Sequence, residues 1–261
     1  MSIDVVMIGG GNMGAALLGG MIASEVFDPS SLAVVERLDA RRVELAQLFP
    51  RVSVLEEVPA CTAAVIAVKP DGVADAVAQA VAGGARRVLS IAAGVTIAAL
   101  EAVAGPNVAV IRAMPNTPAL VGKGVAAISG GASTDEGDLV WAAQILGSVG
   151  IVERLEEPLL DVFTGVAGSG PAYLFLLAEA LIDAAVDQGL AYDVAERVVA
   201  QLLLGAATLL DRDRDPAQLR VNVTSPGGTT AAGLARFEAH GFRSIVADVV
   251  NAATERSQEL G

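Results

Sequence analysis

Gly9-Gly10-Gly11-Asn12-Met13-Gly14 closes an apolar run, Ile3–Ile8, and opens a helical pattern, Ala15–Ser24. A Gly-x-Gly-x-x-Gly string set between a strand and a helix is the fingerprint of a dinucleotide-binding turn. The first glycine permits a tight turn and the second lets the backbone approach a pyrophosphate. The third lets helix and strand pack closely. The helix start adds N–H donors and the positive end of its dipole.

Further strand-like runs lie at Leu32–Glu36, Ala63–Val68, Arg87–Ala92, Asn107–Ala113 and Val125–Ser129. Helical patterns separate them at Asp39–Phe49, Gly72–Val81 and Ile97–Val103. The runs are continuous and β-branched, not alternating, as parallel strands buried on both faces should be. The predicted fold is α/β: a Rossmann-like doubly wound sheet over residues 1–156, then an all-helical dimerisation and substrate-binding domain over 157–261.

Past Glu157 no strand pattern recurs. Pro158–Ala167 reads as a helix, and Pro171 starts a long one that Gly189 ends. Between them Gly168-Ser169-Gly170-Pro171 should break the chain into two elements joined by a turn. That break argues against a membrane span in the charge-free stretch Val162–Ala178. Glu179, Asp183 and Asp187 recur every four residues as one polar stripe on an apolar helix. Asp193 and Glu196 suggest a capping box for a further helix reaching about Asp211. Two more helices are expected near Thr230–Ala239 and Ser244–Glu259. A helical domain this apolar predicts burial against a second copy.

A net charge of −13 argues against nucleic acid and anionic membranes as partners. The start of the chain lacks the basic and apolar pattern of a signal peptide. Cys61 is the only cysteine and His240 the only histidine, so no metal site is expected and a His-centred triad is disfavoured. A lone thiol suits the cytoplasm. Cys61 reads as a small core or boundary residue, Trp141 as packing, and His240, just before Gly241, as a helix cap or surface residue.

Four places remain as candidate chemistry. The second strand ends in Glu36-Arg37; a carboxylate there bonds the ribose hydroxyls of NADH, whereas an arginine attracts the 2′-phosphate of NADPH. Both types stand side by side, so the residues leave the cofactor ambiguous. Lys69-Pro70 follows the strand Ala63–Val68, where an ammonium can meet ribose or phosphate, or simply end a strand. Arg112-Ala113-Met114-Pro115-Asn116-Thr117-Pro118 leaves another strand, held by two prolines, as either a nicotinamide-facing loop or an ordinary ordered one. Ser225-Pro226-Gly227-Gly228-Thr229-Thr230 precedes a helix and is either a second anion cradle, suited to a small carboxylate, or an N-cap plus loop.

With these residues placed, the chain closely resembles the pyrroline-5-carboxylate reductase family. The matching segments are Ile8–Gly14, Ala67–Pro70, Ser90–Val95, Arg112–Pro118, Ala167–Tyr173 and Val223–Thr230, in the family's order. The resemblance implies reduction of the cyclic imine 1-pyrroline-5-carboxylate to L-proline by hydride from NAD(P)H, NADPH being slightly favoured. It assigns the cofactor to Gly9, Gly11, Asn12, Met13, Gly14, Glu36, Arg37, Ala67, Val68, Lys69, Pro70 and Asn116. Substrate binding falls to Val223, Ser225, Gly227, Gly228, Thr229 and Thr230, with Thr230 at the ring nitrogen. It also implies a homodimer intertwined through the C-terminal helices, often assembled further. Many members carry a small polar residue before the arginine; Glu36 departs from that pattern. A 3-hydroxy-acid dehydrogenase would need a lysine near the long C-terminal helix, and no lysine follows Lys123. A nucleotide sensor without turnover would be expected to have lost the Ser225–Thr230 turn, which is intact.

Overall fold

The computed structural model describes residues 3–260. The described chain divides into two compact units, one running to Ser169 and resuming at Asn251, the other Gly170–Val250. Sequence and structure change from strands to helices near residue 157, whereas the compact units divide after Ser169.

The first unit is a doubly wound sheet. Its strands are β1 (Ile3–Ile8), β2 (Leu32–Val35), β3 (Ser53–Leu55), β4 (Cys61–Ile66), β5 (Arg87–Ser90), β6 (Ala109–Met114), β7 (Gly124–Gly130) and β8 (Gly150–Arg154). They run in the order β3-β2-β1-β4-β5-β6-β7-β8. All neighbours are parallel except β6 and β7. The order reverses between β1 and β4, the switch point at which such sheets bind ligands. The short edge strands β3 and β8 carry no apolar run, which is why sequence patterning overlooks them.

Helices α1 (Asn12–Ala23), α2 (Asp39–Leu48), α3 (Val73–Ala82), α4 (Ile97–Ala104) and α5 (Glu136–Gly147) cover both faces. Alternate strand residues feed two cores. Val5, Met7 and Val65 pack with Leu17, Leu45 and Trp141 on one side, while Val6, Ile8 and Ile66 pack with Val77 and Leu100 on the other. Cys61 opens β4 and is buried. The start of α5 is fixed by a reciprocal capping box between Asp135 and Asp138.

The helical part begins with α6 (Leu159–Phe163), a π-helical turn (Thr164–Gly168) and α7 (Gly170–Asp187). The turn expected at Gly168–Pro171 is therefore absent, and one helical path runs from Leu159 to Asp187. Two devices absorb the break. Ser169 N–H donates to Thr164 O at 2.9 Å, a π-type bond that takes up one extra residue. Pro171 cannot donate to Ala167 O four residues back; that carbonyl accepts instead from Asn116 Nδ2 at 3.0 Å. By length and composition this path could cross a membrane.

There follow α8 (Tyr192–Asp213), α9 (Pro216–Asn222), α10 (Thr229–Ala239) and α11 (Phe242–Leu260). The capping box expected at Asp193 and Glu196 does not form. The backbone of Ala191 starts α8 earlier, which leaves Asp193 inside the first turn, where it pairs with Arg197 at 2.9 Å. Helix α9 was not legible from sequence. Within Gly170–Val250 only Ala195 and Val199 are buried in the single chain.

Candidate functional site

Register brings the cofactor candidates together. Ile8 pairs with Val35 on one side and with Ile66 on the other, so Gly9, Glu36 and Ala67 leave the sheet side by side. Gly9 N–H donates to Val35 O at 2.9 Å and Ala67 N–H to Ile8 O at 2.8 Å, fixing all three strand ends.

The three fingerprint glycines have different reasons. Gly9 sits at φ +110° with its α-carbon against Ala67; a Cβ there would overlap the Ala67 carbonyl. A Cβ on Gly14 would overlap the carbonyl oxygen of Gly9, so this glycine lets α1 close on the turn. Gly11 caps α1 at an ordinary φ of −64°, and a Cβ there would meet nothing within 4 Å. Neither fold nor strain requires glycine at that position. Open space above a bare helix start is what a pyrophosphate needs, and Gly11 and Asn12 are exposed beside it. The residues present therefore fit a dinucleotide.

Glu36 turns inward to the glycine turn. Its carboxylate accepts from Gly10 N–H at 3.1 Å and from Leu38 N–H at 3.0 Å. Arg37 is exposed. Val68 is partly buried, and the exposed Lys69 caps the short 3-10 turn Pro70–Gly72 on the same rim. Lys123 lies just before β7, the strand antiparallel to β6, so it too stands on that rim.

Asn116 is buried and its amide is committed: Oδ1 accepts from Val125 N–H at 3.0 Å while Nδ2 donates to Ala167 O. Its side chain thus ties the loop after β6 to β7 and the π turn. The sequence offered a nicotinamide contact or an ordered loop at this position, and the amide side chain serves the second role.

Sequence reasoning placed Arg112 at the head of the Arg112–Pro118 segment but missed its ion pairs. Only 6% exposed, this arginine reaches Glu157 at 3.1 Å and Asp161 at 3.3 Å. Glu157 also accepts from Ile97 N–H at 2.7 Å, and Asp161 from Ser257 Oγ at 2.7 Å. A lone arginine inside an apolar strand run was the available signal, because such a charge demands a buried partner.

In the second unit, Gly227 has φ +70° and Gly228 caps α10 without a side-chain cap. Gly228 N–H donates to Ser225 O at 3.0 Å, closing the turn, and a Cβ on Gly228 would overlap Ser225 Oγ. The first bond inside α10 is Ala232 N–H to Gly228 O at 3.1 Å. By helix geometry the N–H groups of Thr229, Thr230 and Ala231 point out of this end. Thr229, Thr230 and Val223 are exposed.

A glycine turn at the switch point of a doubly wound sheet, joined to a helical unit with its own glycine-rich helix start, defines a dinucleotide-binding protein of oxidoreductase type. Residues 4–94 match the family model described as NADP oxidoreductase, coenzyme F420-dependent, and residues 157–260 that for pyrroline-5-carboxylate reductase dimerisation. A pyrroline-5-carboxylate reductase of Synechocystis is 44% identical over 100% of this chain and 99% of its own length. A solved structure of such a reductase from Coxiella burnetii superposes with a TM-score of 0.92 at 31% identity, covering 100% and 99% of the two chains. That of a Plasmodium falciparum pyrroline carboxylate reductase with NADP bound gives 0.84 at 29% identity, covering 99% and 98%. The chain belongs to the pyrroline-5-carboxylate reductase family.

Proposed function

We propose that this protein reduces 1-pyrroline-5-carboxylate to L-proline at the expense of NAD(P)H, the last step of proline synthesis. The observation that carries the reading is the pair of built anion cradles. One is the open helix start at Gly11, and the other is the Ser225–Thr230 turn, where Gly228 makes room for the Ser225 hydroxyl.

Residues 1–156 act as the dinucleotide-binding domain and 157–261 as the dimerisation and substrate domain. Gly9, Gly11, Asn12, Met13 and Gly14 hold the pyrophosphate, with Ala67–Pro70 at the neighbouring strand end and Glu36 and Arg37 at the adenosine end. Asn116 contributes through its backbone, since its amide is committed. Ser225 and the N–H groups of Gly227 and Thr229 take the substrate carboxylate, beside Val223, while Gly228 closes the turn through its own N–H. When bound, the reduced nicotinamide supplies the hydride. The carboxylate cradle orients the imine carbon, and Thr230 hydrogen-bonds the ring nitrogen, which must carry a proton as hydride arrives. A threonine hydroxyl is a weak acid, so the substrate enters largely as the iminium ion or takes its proton through Thr230 from water.

The working form is a homodimer built through the helices of 157–261. Outside the two buried residues Ala195 and Val199, the second unit exposes Leu174, Phe175, Leu176, Leu202 and Leu204, with Phe175 63% exposed. A patch of this kind fits a subunit interface. The same reading assigns the apolar path Leu159–Asp187 to that interface and the enzyme to the cytoplasm.

The test is oxidation of NADH and NADPH on adding 1-pyrroline-5-carboxylate, by wild type and Thr230→Ala. Turnover by wild type and a loss of about 1–3 kcal/mol in kcat/KM for the variant are expected. A folded dimer inert toward the imine defeats the activity, and an unaltered variant removes Thr230 from the mechanism.

A further inference from the structure

We propose that Glu36 makes this protein prefer NADH to NADPH, by fixing a carboxylate where the 2′-phosphate of NADPH would lie. The proposal rests on the reading of Gly9–Gly14 as the dinucleotide site. In a doubly wound fold with that turn, the adenosine ribose lies over the end of the second strand. Glu36 is the residue immediately after β2, and register sets it beside Gly9.

Three observations decide its role. First, the carboxylate is pinned: one oxygen accepts from Gly10 N–H and the other from Leu38 N–H, so it is anchored to the turn that holds the pyrophosphate. Each oxygen keeps a further lone pair, enough to accept from the 2′- and 3′-hydroxyls of a ribose. A 2′-phosphate offers acceptors and negative charge instead.

Second, two of the three nearby arginines already have protein partners. Arg41 Nε donates to Gly10 O at 2.8 Å while its Nη1 pairs with Glu44 at 2.8 Å. Arg42 Nη1 donates to the carbonyls of Glu36 and Arg37, both at 2.9 Å, and its Nη2 pairs with Asp39 and Glu56. Arg37 alone is left exposed to meet a phosphate, one residue from the fixed negative charge.

Third, the turn leaves no room for Glu36 to be displaced inward. A Cβ at Gly10 would already overlap Leu45 Cδ1 and press on Glu36 Cβ at 3.3 Å. The preference is therefore opposite to that suggested by the NADP-bound Plasmodium relative.

Isothermal titration of the full-length protein with NADH, NADPH, 5′-AMP and adenosine 2′,5′-bisphosphate tests the idea without turnover. Wild type should bind NADH about ten-fold or more tightly than NADPH, with the same order for the two adenosine fragments. Glu36→Gln keeps an acceptor for one N–H and removes the charge; it should bring the two dinucleotides to within about three-fold. Arg37→Ala should weaken NADPH and leave NADH nearly unchanged. Wild type binding NADPH as tightly as NADH overturns the proposal, and this comparison stands even if Glu36→Gln fails to fold. A folded Glu36→Gln with the wild-type ratio removes Glu36 as its cause. If neither dinucleotide binds, the cofactor-site reading falls, and the preference with it.

Discussion

The two units solve the problem of burial in opposite ways. The first encloses Leu17, Leu45, Ile66, Leu89 and Ile111 between sheet and helices with almost no exposure. The second, of comparable apolar content along α7 and α8, buries only Ala195 and Val199 in one chain and leaves Leu204 62% exposed. A parallel sheet closes its core within one chain because crossover helices cover both faces. A few long helices have no such internal cover, and in the dimer proposed above their apolar faces meet another copy. On that proposal the contrast is a division of labour: one unit carries its own stability, the other borrows it.

The largest expected effect breaks the borrowing unit. Leu202→Asp on α8 loses the burial of a leucine, about 1.5–3 kcal/mol, and two-fold symmetry applies the loss twice. Sedimentation should show loss of the dimer at micromolar concentration. A variant that stays dimeric with wild-type thermal stability would mean that this face of α8 is not the interface.

Next comes the ion-pair hub that the first unit builds around Arg112. Arg112→Ala leaves Glu157 and Asp161 facing each other with no counter-charge, which should cost about 3–5 kcal/mol in urea unfolding. Arg112→Lys should recover only part, because one ammonium cannot span both carboxylates as a guanidinium fork does. Equal stability of all three proteins would show that the hub is solvated in solution.

A third comparison lies inside the glycine turn. Gly14→Ala drives a methyl group into the Gly9 carbonyl and should destabilise the first unit by about 1–3 kcal/mol. Gly11→Ala meets nothing and sits at ordinary dihedrals, so stability should hold while dinucleotide affinity falls. Wild-type affinity in Gly11→Ala would mean that the space over α1 is not the pyrophosphate site.

What was legible in sequence follows the same division. Strands such as Ile3–Ile8 announce themselves because burial on both faces demands an unbroken apolar run, and the glycine turn because its steric needs are local. Strands β3 and β8 stand at edges, where pairing with one neighbour suffices and no apolar run is required. The π turn was hidden for a different reason. Pro171 looks like a break until Asn116, distant in sequence, supplies a donor for the stranded Ala167 carbonyl. The commitment of the Asn116 amide, like that of Arg112, depends on tertiary partners that no local pattern reveals. Glu36 was visible as a candidate, but its bond to Gly10 N–H turns an ambiguous pair of residues into a fixed carboxylate.

Cys61 supplies the smallest effect and a probe of the division itself. It is the single thiol and lies in the first unit, where burial pushes its pKa up. The folded protein therefore favours the neutral thiol more than the unfolded chain does. That contribution is fully present below the ordinary thiol range and is lost as pH rises through it toward the higher folded value. The first unit should thus soften slightly in alkali, and a thiol reagent should label Cys61 slowly at neutral pH, at a rate set by opening of that unit. If the first unit carries its own stability, Leu202→Asp should dissociate the dimer and leave Cys61 as protected as before, whereas Gly14→Ala should speed its labelling in the intact dimer. Fast labelling of Cys61 on dissociation alone would show that the first unit, too, depends on its partner.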